Sequence, residues 1–404
     1  MQTAVIKPSS FPRDEKFRSP HTPPFRDDQG TFHVFSHADV MRALKNADQE
    51  FSQDLSTLVP DDHHMTFDFM WATDQVTLAG EPGRHDALRA VVEPWFRTRA
   101  VRTMEPVIRH LARELVEEIV QRGTGEFDLA NDLAYRLSMR VICKLTGIEL
   151  EREQWMREKL DEFNRAADFT KIPRQWDVAA YFWELVAKRL AHPQDELLDV
   201  LISAWKEDKI SGRELLGFIS GFVNAGTDTT GTSLVDAVAL LAEFDYLDQV
   251  RRSLDDQEAM RRIIEEILRF STPFPAGPIS VVRDVTFGDL RVPAGSHLNM
   301  WLSAANRDEA VNGGVQQTDP NVFDPDRWPN RHVALGQGRH YCLGGELARL
   351  EIRILLEEVL LRLPGLHMAE DQPFERVVGI VDAVTAAPFR FDSEQAQQVM
   401  RSPA

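Results

Sequence analysis

Apolar residues recur three and four positions apart along most of the chain after His37, which places them on one face of a helix. The pattern predicts amphipathic helices in HADVMRALKN, RHDALRAVVEPWF and VIRHLARELVEEIVQRG in the first part of the chain, and in ELLGFISGFVNAG and SLVDAVALLAEF in the middle. Two more, MRRIIEEILRF and ELARLEIRILLEEVLLRL, follow in the C-terminal half. The chain is therefore predicted to be mainly helical.

Strand-like segments are short and scattered: TFHVFS, PISVVRDVTFGDLRVPAGSHLNMW and VTAAPFRF. The second contains turn residues at Gly288-Asp289 and at Pro293-Ala294-Gly295. No internal repeat or flexible linker lies between Phe32 and Phe391, and the Pro-rich residues 1–30 are typical of an extended N-terminal arm. We therefore expect one domain over residues 1–404, mainly α with small β-sheets (α+β).

Composition and charge narrow the function classes. The 404 residues include 46 basic and 64 acidic side chains, a formal net charge of -18, which disfavours general binding to nucleic acid or an anionic membrane. The sequence shows neither a signal peptide nor a spanning segment. Its two cysteines are too few for a disulfide framework, and Cys143 lies in an apolar run that indicates a core position. We expect a soluble, cytoplasmic protein.

The second cysteine, Cys342, lies among glycines at 336, 338, 344 and 345, just before an apolar helix. Glycines permit positive φ, and N–H groups at a helix start stabilise a thiolate. Three interpretations are open. The segment is a Gly-rich turn with a buried free thiol, a zinc site with His332 and His340 that lacks a fourth ligand, or a ligand loop for haem iron, which needs only one or two axial protein ligands.

A second unusual segment is GFVNAGTDTTGTSLVDAVALL, in which Thr227, Thr229, Thr230 and Thr232 interrupt a strong helical pattern. Threonine and glycine disfavour helix interiors, and such local conflict is expected at functional sites. Either the helix ends at Gly226 and restarts, or one long helix crosses a cofactor. In the second case Gly226 would permit close approach, and a threonine hydroxyl could draw a carbonyl out of the helical ladder.

The segment from Leu335 to Gly344 resembles the haem-binding loop of the cytochromes P-450, whose pattern is Phe-x-x-Gly-x-(Arg/His)-x-Cys-x-Gly. This chain has Leu335 where the family usually has Phe. The resemblance implies haem b, with Cys342 as the axial ligand of the iron and Leu335, Gly336 and Gly344 forming the loop around it.

Three further segments, in the same order along the chain as in the family, extend the resemblance. Residues 225–230, AGTDTT, resemble the oxygen-activation motif. They imply that Ala225 and Gly226 lie beside the cofactor, and that Asp228 and Thr229 form an acid–alcohol pair. The Thr229 hydroxyl would then hold dioxygen and a water, while the Asp228 carboxylate supplies protons from solvent.

The remaining motifs imply structural and cofactor contacts. Glu266-x-x-Arg269, joined by Arg327 from FDPDRW, resembles the family's ion cluster that braces the cysteine loop. His85 and Arg89 lie four residues apart on one predicted helix face. By resemblance they bind a haem propionate, with Arg283 and His340 as further candidates.

The resemblance implies a monooxygenase that uses dioxygen and two external electrons to hydroxylate, epoxidise or demethylate a small, largely apolar secondary metabolite or xenobiotic. No Gly-x-Gly-x-x-Gly follows a strand, so no flavin or nicotinamide site is expected and electrons should come from a ferredoxin and its reductase. A basic dock for that partner is expected at Arg97, Arg99, Arg102 and Arg339.

Three alternatives remain beside this reading. The first is the same fold catalysing peroxide-driven oxidation, oxidative coupling or dehydrogenation. The second is a non-catalytic haem sensor, which would need no proton relay, so the Asp228–Thr229 pair disfavours it. The third is an all-α scaffold with a chance cysteine.

The resemblance places candidate substrate-contacting residues in four regions of the chain. Ahead of the His85 helix they are Phe67, Phe69, Met70 and Trp71, and in the threonine-rich helix they are Phe222 and Val223 beside Ala225 and Gly226. Behind the Glu-x-x-Arg helix and near the C-terminus they are Phe274, Pro275, Ala276, Ile279, Ile380 and Val381. Their apolar and aromatic character suits a ring-containing substrate, although each could equally be core.

Overall fold

A computed structural model describes residues 3–10, 13–46, 49–52, 82–164, 175–313 and 318–401. Most of this part of the chain is helical, as the apolar periodicity predicts. The α-helices are α1 His37–Lys45, α2 Pro82–Phe96, α3 Thr98–Thr103, α4 Glu105–Gln121, α5 Tyr135–Thr146, α6 Glu153–Asn164, α7 Trp176–Ala191, α8 Leu197–Lys206, α9 Gly212–Glu243, α10 Leu247–Arg252, α11 Gln257–Ser271, α12 Leu302–Ala305, α13 Glu309–Asn312, α14 Gly345–Arg362 and α15 Ser393–Arg401. None of them is long and apolar enough to cross a membrane.

The strands are short and form small sheets at the edge of the helical body. They are β1 Thr3–Val5, β2 Phe25–Arg26, β3 Phe32–Val34, β4 Phe51–Ser52, β5 Glu126–Asp128, β6 Gly277–Val281, β7 Val285–Phe287, β8 Leu290–Val292, β9 His297–Met300, β10 His367–Met368, β11 Glu375–Val377, β12 Ala383–Ala386 and β13 Pro388–Arg390. The sheet orders are β2-β3-β9-β6-β4, β1-β11-β12, β10-β13-β5 and β7-β8, with β3 and β9 parallel. The three strand-like segments of the sequence are thereby confirmed as strands.

The N-terminal arm is more structured than the expected extended segment. Its β1 pairs with β11, with Thr3 opposite Val377, and its β2 pairs with β3. A 3-10 turn covers Glu15–Phe17, and the Ser9 N–H donates to the Glu243 carboxylate at 2.7 Å. The arm therefore ties two sheets and the end of α9 together, because its backbone completes their edges.

The long helix α9 runs through the main hydrophobic core. A capping box sets its start, in which the Ser211 hydroxyl accepts from the Glu214 N–H at 3.2 Å. The helix continues without interruption from Gly212 to Glu243, so the interpretation that it ends at Gly226 is wrong. It packs against α5, α11 and α14, and most of its residues are buried.

Two glycines bring α5 close to α9. A Cβ at Gly226 would collide with Ile142, and one at Gly231 would collide with the ring of Tyr135. The Ser138 hydroxyl adds a direct link, donating to the Thr227 carbonyl at 3.0 Å. Gly226 thus serves helix–helix packing, which differs from the expected reason that it allows a cofactor to approach.

Candidate active site

The cysteine loop has the backbone that its glycines predict. Gly336 and Gly338 adopt φ of 71° and 72°, which disfavours any residue with a side chain. The turn is closed by the Cys342 N–H, which donates to the Leu335 carbonyl at 2.8 Å. Gly344 then caps α14, so the helix begins three residues after the cysteine.

The thiol of Cys342 lies in surroundings that suit a metal-binding thiolate. Its side chain is exposed, yet protein atoms crowd it closely enough that burial raises the pKa of the thiol. The backbone N–H groups of Gly344 and Gly345 and the cations of Arg349 and Arg89 act in the opposite direction. N–H donors and positive charge directed at one sulfur favour its ionised form, which is the form that binds a metal. The loop therefore fits the axial ligand that haem iron takes.

Helix α2 brings two of the four predicted propionate contacts, His85 and Arg89, to this loop, which itself carries a third, His340. Arg89 donates through Nη1 to the Tyr341 carbonyl at 2.9 Å. The rings of His85 and His340 lie 4.2 Å apart, and burial lowers the pKa of His85. The structure therefore places two imidazoles and one guanidinium beside the cysteine, a donor set that matches a carboxylate-bearing cofactor.

The fourth candidate, Arg283, lies elsewhere, and that prediction is wrong. Its side chain is 61% exposed and pairs with Glu50 at 3.5 Å. Strand β6 ends at Val281, so Arg283 follows the strand into a solvent-facing turn. The sequence pattern did not distinguish an arginine within the strand from one just beyond it.

One face of α9 is open in the middle of an otherwise buried helix. Ala225 is exposed and Thr229 half-buried, whereas Thr227, Asp228 and Thr230 are buried. The Thr229 hydroxyl donates to the Ala225 carbonyl at 2.6 Å, so the expected contact between a threonine and a helical carbonyl is present. The helix remains regular there, and a hydroxyl lies on its accessible face.

The neighbouring carboxylate, Asp228, points to the other side of α9. Its Oδ1 accepts from Arg157 Nη1 at 2.7 Å, and Arg157 also covers the ring of Tyr135 at 4.3 Å. Burial is the largest single effect on Arg157 and lowers its pKa. The charge of Asp228 and of neighbouring groups outweighs burial, so the pKa of Arg157 is raised. The sequence alone does not indicate a role for Arg157, because nothing in the local pattern links two residues 71 positions apart.

The structure brings Glu266, Arg269 and Arg327 together without exposure to solvent. Arg269 donates to both Glu266 oxygens at 2.6 and 2.7 Å, and Arg327 donates to Oε1 at 3.2 Å. The two guanidiniums also bind carbonyls of Asn306, Asn312 and neighbouring residues. This cluster fixes the segment that leads into the cysteine loop, which agrees with the structural role expected for it.

The zinc interpretation finds no support in the described ranges. His332 binds Glu265 at 2.8 Å, whereas His340 packs on His85. No group of three His, Cys, Asp or Glu side chains suited to a metal ion occurs among the residues with described positions. Burial raises the pKa of Glu265, but hydrogen bonds from His332 and Arg349 lower it to about 2. His332 is therefore a partner of Glu265 in this structure.

The substrate candidates divide into open and buried positions. Phe222 is half-buried between Phe96 and Phe218, with ring separations of 5.4 and 6.0 Å, and joins α2 to α9. Phe274, Ala276 and Val381 are half-buried, and Ile380 is 41% exposed. Phe67, Phe69, Met70 and Trp71 lie outside the described residues.

Val223, Pro275 and Ile279 are buried, which corrects their assignment to the pocket. Burial alternates along β6, so Ile279 faces the sheet core while Pro278 and Ser280 face the opposite side.

An ion pair that the sequence pattern does not indicate joins the two helices of the site. Arg84, next to His85, donates through Nε to Glu214 at 2.6 Å. Glu214 belongs to the capping box of α9, so this contact fixes the start of α2 against the start of α9. It depends on side chains 130 positions apart in the sequence.

The cysteine loop, the imidazole-bearing helix and the long helix with its open face define a haem-thiolate protein. Residues 156–375 match the family model described as Cytochrome P450. The chain belongs to the cytochrome P450 family.

The curated relatives include the mycinamicin IV hydroxylase/epoxidase of Micromonospora griseorubida, 34% identical over 298 residues, which are 72% of this chain and 73% of that protein. The erythromycin C-12 hydroxylase of Saccharopolyspora erythraea is 31% identical over 373 residues, 88% of this chain and 89% of that protein. Relatives of this kind show that the chain is a cytochrome P450 monooxygenase.

Solved structures agree with the fold. The structure of CYP109E1 from Bacillus megaterium in complex with testosterone superposes with a TM-score of 0.81 at 25% identity, over 92% of this chain and 95% of that one. The family binds haem iron and uses dioxygen with electrons from redox partners, so the cofactor class expected from the cysteine loop is confirmed.

Proposed function

We propose that this enzyme inserts one oxygen atom from dioxygen into a small, largely apolar organic compound by hydroxylation, epoxidation or demethylation. The observation that carries the proposal is the arrangement on α9. The Thr229 hydroxyl lies on the open face of the helix, and the adjacent Asp228 is buried on the other side, where it binds Arg157. Similarity to the mycinamicin IV hydroxylase/epoxidase and the erythromycin C-12 hydroxylase supports a secondary metabolite as the substrate, with a xenobiotic as the other candidate.

We assign the cofactor as haem b, held by Cys342 with His85, Arg89 and His340 at its carboxylates. When bound, haem activates dioxygen through a thiolate-ligated iron. Burial raises the pKa of the Cys342 thiol, and the amides of Gly344 and Gly345 partly oppose that rise. Arg89 and the two imidazoles supply donors to carboxylates that would otherwise be buried without partners.

The two α9 side chains have separate roles in this proposal. Thr229 orients a water and donates a proton at its Oγ1, which requires that its hydrogen bond to the Ala225 carbonyl be exchanged. Asp228 receives protons from solvent and passes them to that water, and Arg157 holds its carboxylate in place through the 2.7 Å hydrogen bond. Phe222 and the apolar residues beside it exclude bulk water.

We also propose that electrons come from a separate ferredoxin and its reductase, with no flavin or nicotinamide bound to this chain. Arg97, Arg99 and Arg102 are exposed, and α3 lies against the start of α14, where Thr98 donates to Glu346 at 3.0 Å. The expected fourth member, Arg339, pairs with Asp86 at 2.7 Å, so its charge is largely compensated.

A groove beside the cysteine loop is a second candidate surface for this partner. It has a volume of about 590 Å³ and is lined by His37, Lys45, Arg331, Gln337 and Tyr341 among others. Its lysine and arginine side chains suit an acidic partner, because complementary charge steers association. The groove reaches Gly336, six residues before the cysteine.

The first experiment is the absorbance spectrum of the dithionite-reduced protein with carbon monoxide. We expect a strongly red-shifted Soret band in wild type and in Cys143→Ala. Cys143→Ala is the matched control, because it removes the buried thiol and leaves Cys342 in place. The band should be absent in Cys342→Ala. A histidine-type band in intact wild-type protein would contradict the thiolate assignment.

The second experiment separates the reaction types. Turnover with ferredoxin, reductase and ¹⁸O-labelled dioxygen is compared with turnover driven by peroxide alone, and the product mass is measured. Label in the product, or release of formaldehyde beside a demethylated product, supports insertion. Product formed only with peroxide, or product with neither label nor released formaldehyde, would favour the peroxide-driven or coupling and dehydrogenation alternatives.

The docking proposal has its own test. The double charge reversal Arg97→Glu with Arg99→Glu should slow reduction by ferredoxin and weaken its dependence on salt. Arg291→Glu, on the β7–β8 hairpin, is the control. Unchanged reduction kinetics in the double variant would exclude this surface.

A further inference from the structure

A small polar cavity lies away from the cysteine loop, where the N-terminal arm meets α9, α11 and β11. It offers about 20 Å³ of space, enough for one water molecule or one monatomic ion. Its lining includes Ser9 and Ser10 from the arm, the guanidiniums of Arg307 and Arg376, and the carboxylates of Asp236 and Asp382. None of these residues takes part in the proposed oxidation.

Arg307 is the unusual member of this lining. It is 3% exposed and donates to the Ser303 carbonyl at 3.0 Å and to the Phe270 carbonyl at 3.1 Å. It forms no ion pair, and its Nε has no acceptor, within the ranges that the structure describes. Burial, with Arg18 and Arg269 nearby, lowers the pKa of Arg307 to about 9.

The carboxylates of the cavity are already engaged by other cations. Asp236 binds Arg376 and accepts from the Ser271 hydroxyl at 2.5 Å. Asp382 pairs with Arg13 at 2.8 Å. Glu243, beside the arm, is held by the N–H and the hydroxyl of Ser9. Farther away, Glu266 is shared by Arg269 and Arg327, so none of these carboxylates pairs with Arg307.

The cavity lining carries two guanidiniums and two carboxylates, and Arg13 and Arg18 beside it outnumber the single further carboxylate of Glu243, so positive charge is in excess around Arg307. Two further guanidinium groups, Arg376 and Arg18, also have a buried Nε with no acceptor among the described residues. A water molecule could accept from such donors, but it would leave the excess charge of a buried guanidinium uncompensated, which is costly.

We propose that this cavity binds a monovalent anion of halide size, with chloride as the physiological form. The Nε groups of Arg307 and Arg376 and the Ser10 hydroxyl are its donors, because the Ser9 hydroxyl already donates to Glu243. The ion neutralises Arg307 and fixes the N-terminal arm to the ends of α9 and α11. The site is structural and does not depend on the oxidation chemistry.

Crystallography with bromide tests the site directly. Crystals of the holoenzyme are soaked in sodium bromide, and diffraction data are collected above the bromine absorption edge. We expect an anomalous difference peak in the cavity. Density without an anomalous signal would show that only water binds there and would overturn the proposal.

Thermal unfolding in solution gives a second test. Sodium chloride, compared with sodium gluconate at equal ionic strength, should raise the wild-type Tm by about 2 °C or more, because only the small anion fits. Arg307→Gln should lose this difference between the salts, whereas Arg291→Gln, which removes an exposed guanidinium, should retain it.

Two results would refute the site. Equal responses of wild type to both salts would do so, and a bromide peak without chloride-dependent stabilisation would mark an adventitious ion only. If Arg307→Gln does not fold, the wild-type salt comparison and the bromide peak decide between the outcomes.

Discussion

Arg157 donates to Asp228 at 2.7 Å and joins α6 to the middle of α9. The Asp228 side chain is 5% exposed and that of Arg157 is 26% exposed, so the pair sits at the edge of the core. Because Asp228 adjoins Thr229, this ion pair connects the packing of α6 with the residue proposed to donate protons.

Loss of the Arg157 guanidinium should destabilise the protein and lower catalytic coupling. We expect Arg157→Leu to reduce the free energy of unfolding by about 1–3 kcal/mol, below the range for a fully buried pair because Arg157 is partly exposed. Urea unfolding of Arg157→Leu, Asp228→Asn and the double variant measures the interaction. Additive effects in the double variant would show that the two side chains do not stabilise one another.

Removal of the Thr229 hydroxyl should separate electron consumption from product formation. Thr229→Ala is expected to lower the product formed per electron consumed by at least about tenfold, because the positioned proton donor is lost. Thr229→Ser keeps the hydroxyl and is the matched control. If Thr229→Ala stays as well coupled as wild type, the assigned role is incorrect.

The buried cluster around Glu266 should be required for a stable haem protein. Glu266→Gln leaves Arg269 and Arg327 without their carboxylate, which should cost about 3–5 kcal/mol. We expect a lower urea midpoint and a smaller red-shifted Soret band with carbon monoxide. Glu258→Gln removes an exposed partner of Arg261 and should behave as wild type.

Glu351 should make stability fall as pH rises. It is 1% exposed, its Oε2 has no partner among the described residues, and burial raises the pKa of its carboxyl well above the usual value. The folded state therefore holds a proton that the unfolded state releases, and this contribution is lost as pH rises through the raised pKa.

Glu351→Gln removes that titration. Relative to wild type it should gain about 1–3 kcal/mol in free energy of unfolding between about pH 5 and about pH 8. The exposed Glu394→Gln on α15 is the control. Parallel pH profiles for wild type and Glu351→Gln, measured by urea unfolding, would show that Glu351 does not titrate in this range.

The helical framework could be predicted because apolar periodicity directly encodes which face of a helix is buried. This holds for α9, whose pattern outweighs the low helix propensity of Thr227, Thr229 and Thr230. The cysteine loop was also predictable, since glycines at 336 and 338 are required by positive φ.

Long-range contacts could not be predicted in the same way. The pairing of Arg157 with Asp228 and the solvent-facing position of Arg283 depend on how distant elements meet. The N-terminal arm is a similar case, because its β1 is defined by a partner strand more than 300 residues later. Local composition indicated only an extended segment there.

The tight contact between α5 and α9 has a consequence for engineering this enzyme. Ile142 and Tyr135 occupy the space where side chains at 226 and 231 would stand, so the rear of α9 tolerates almost no diversity. New selectivity must therefore be sought on the front of the helix, at Phe222 and Ala225. Saturation libraries confined to those positions should retain far more folded clones than libraries spread evenly along α9.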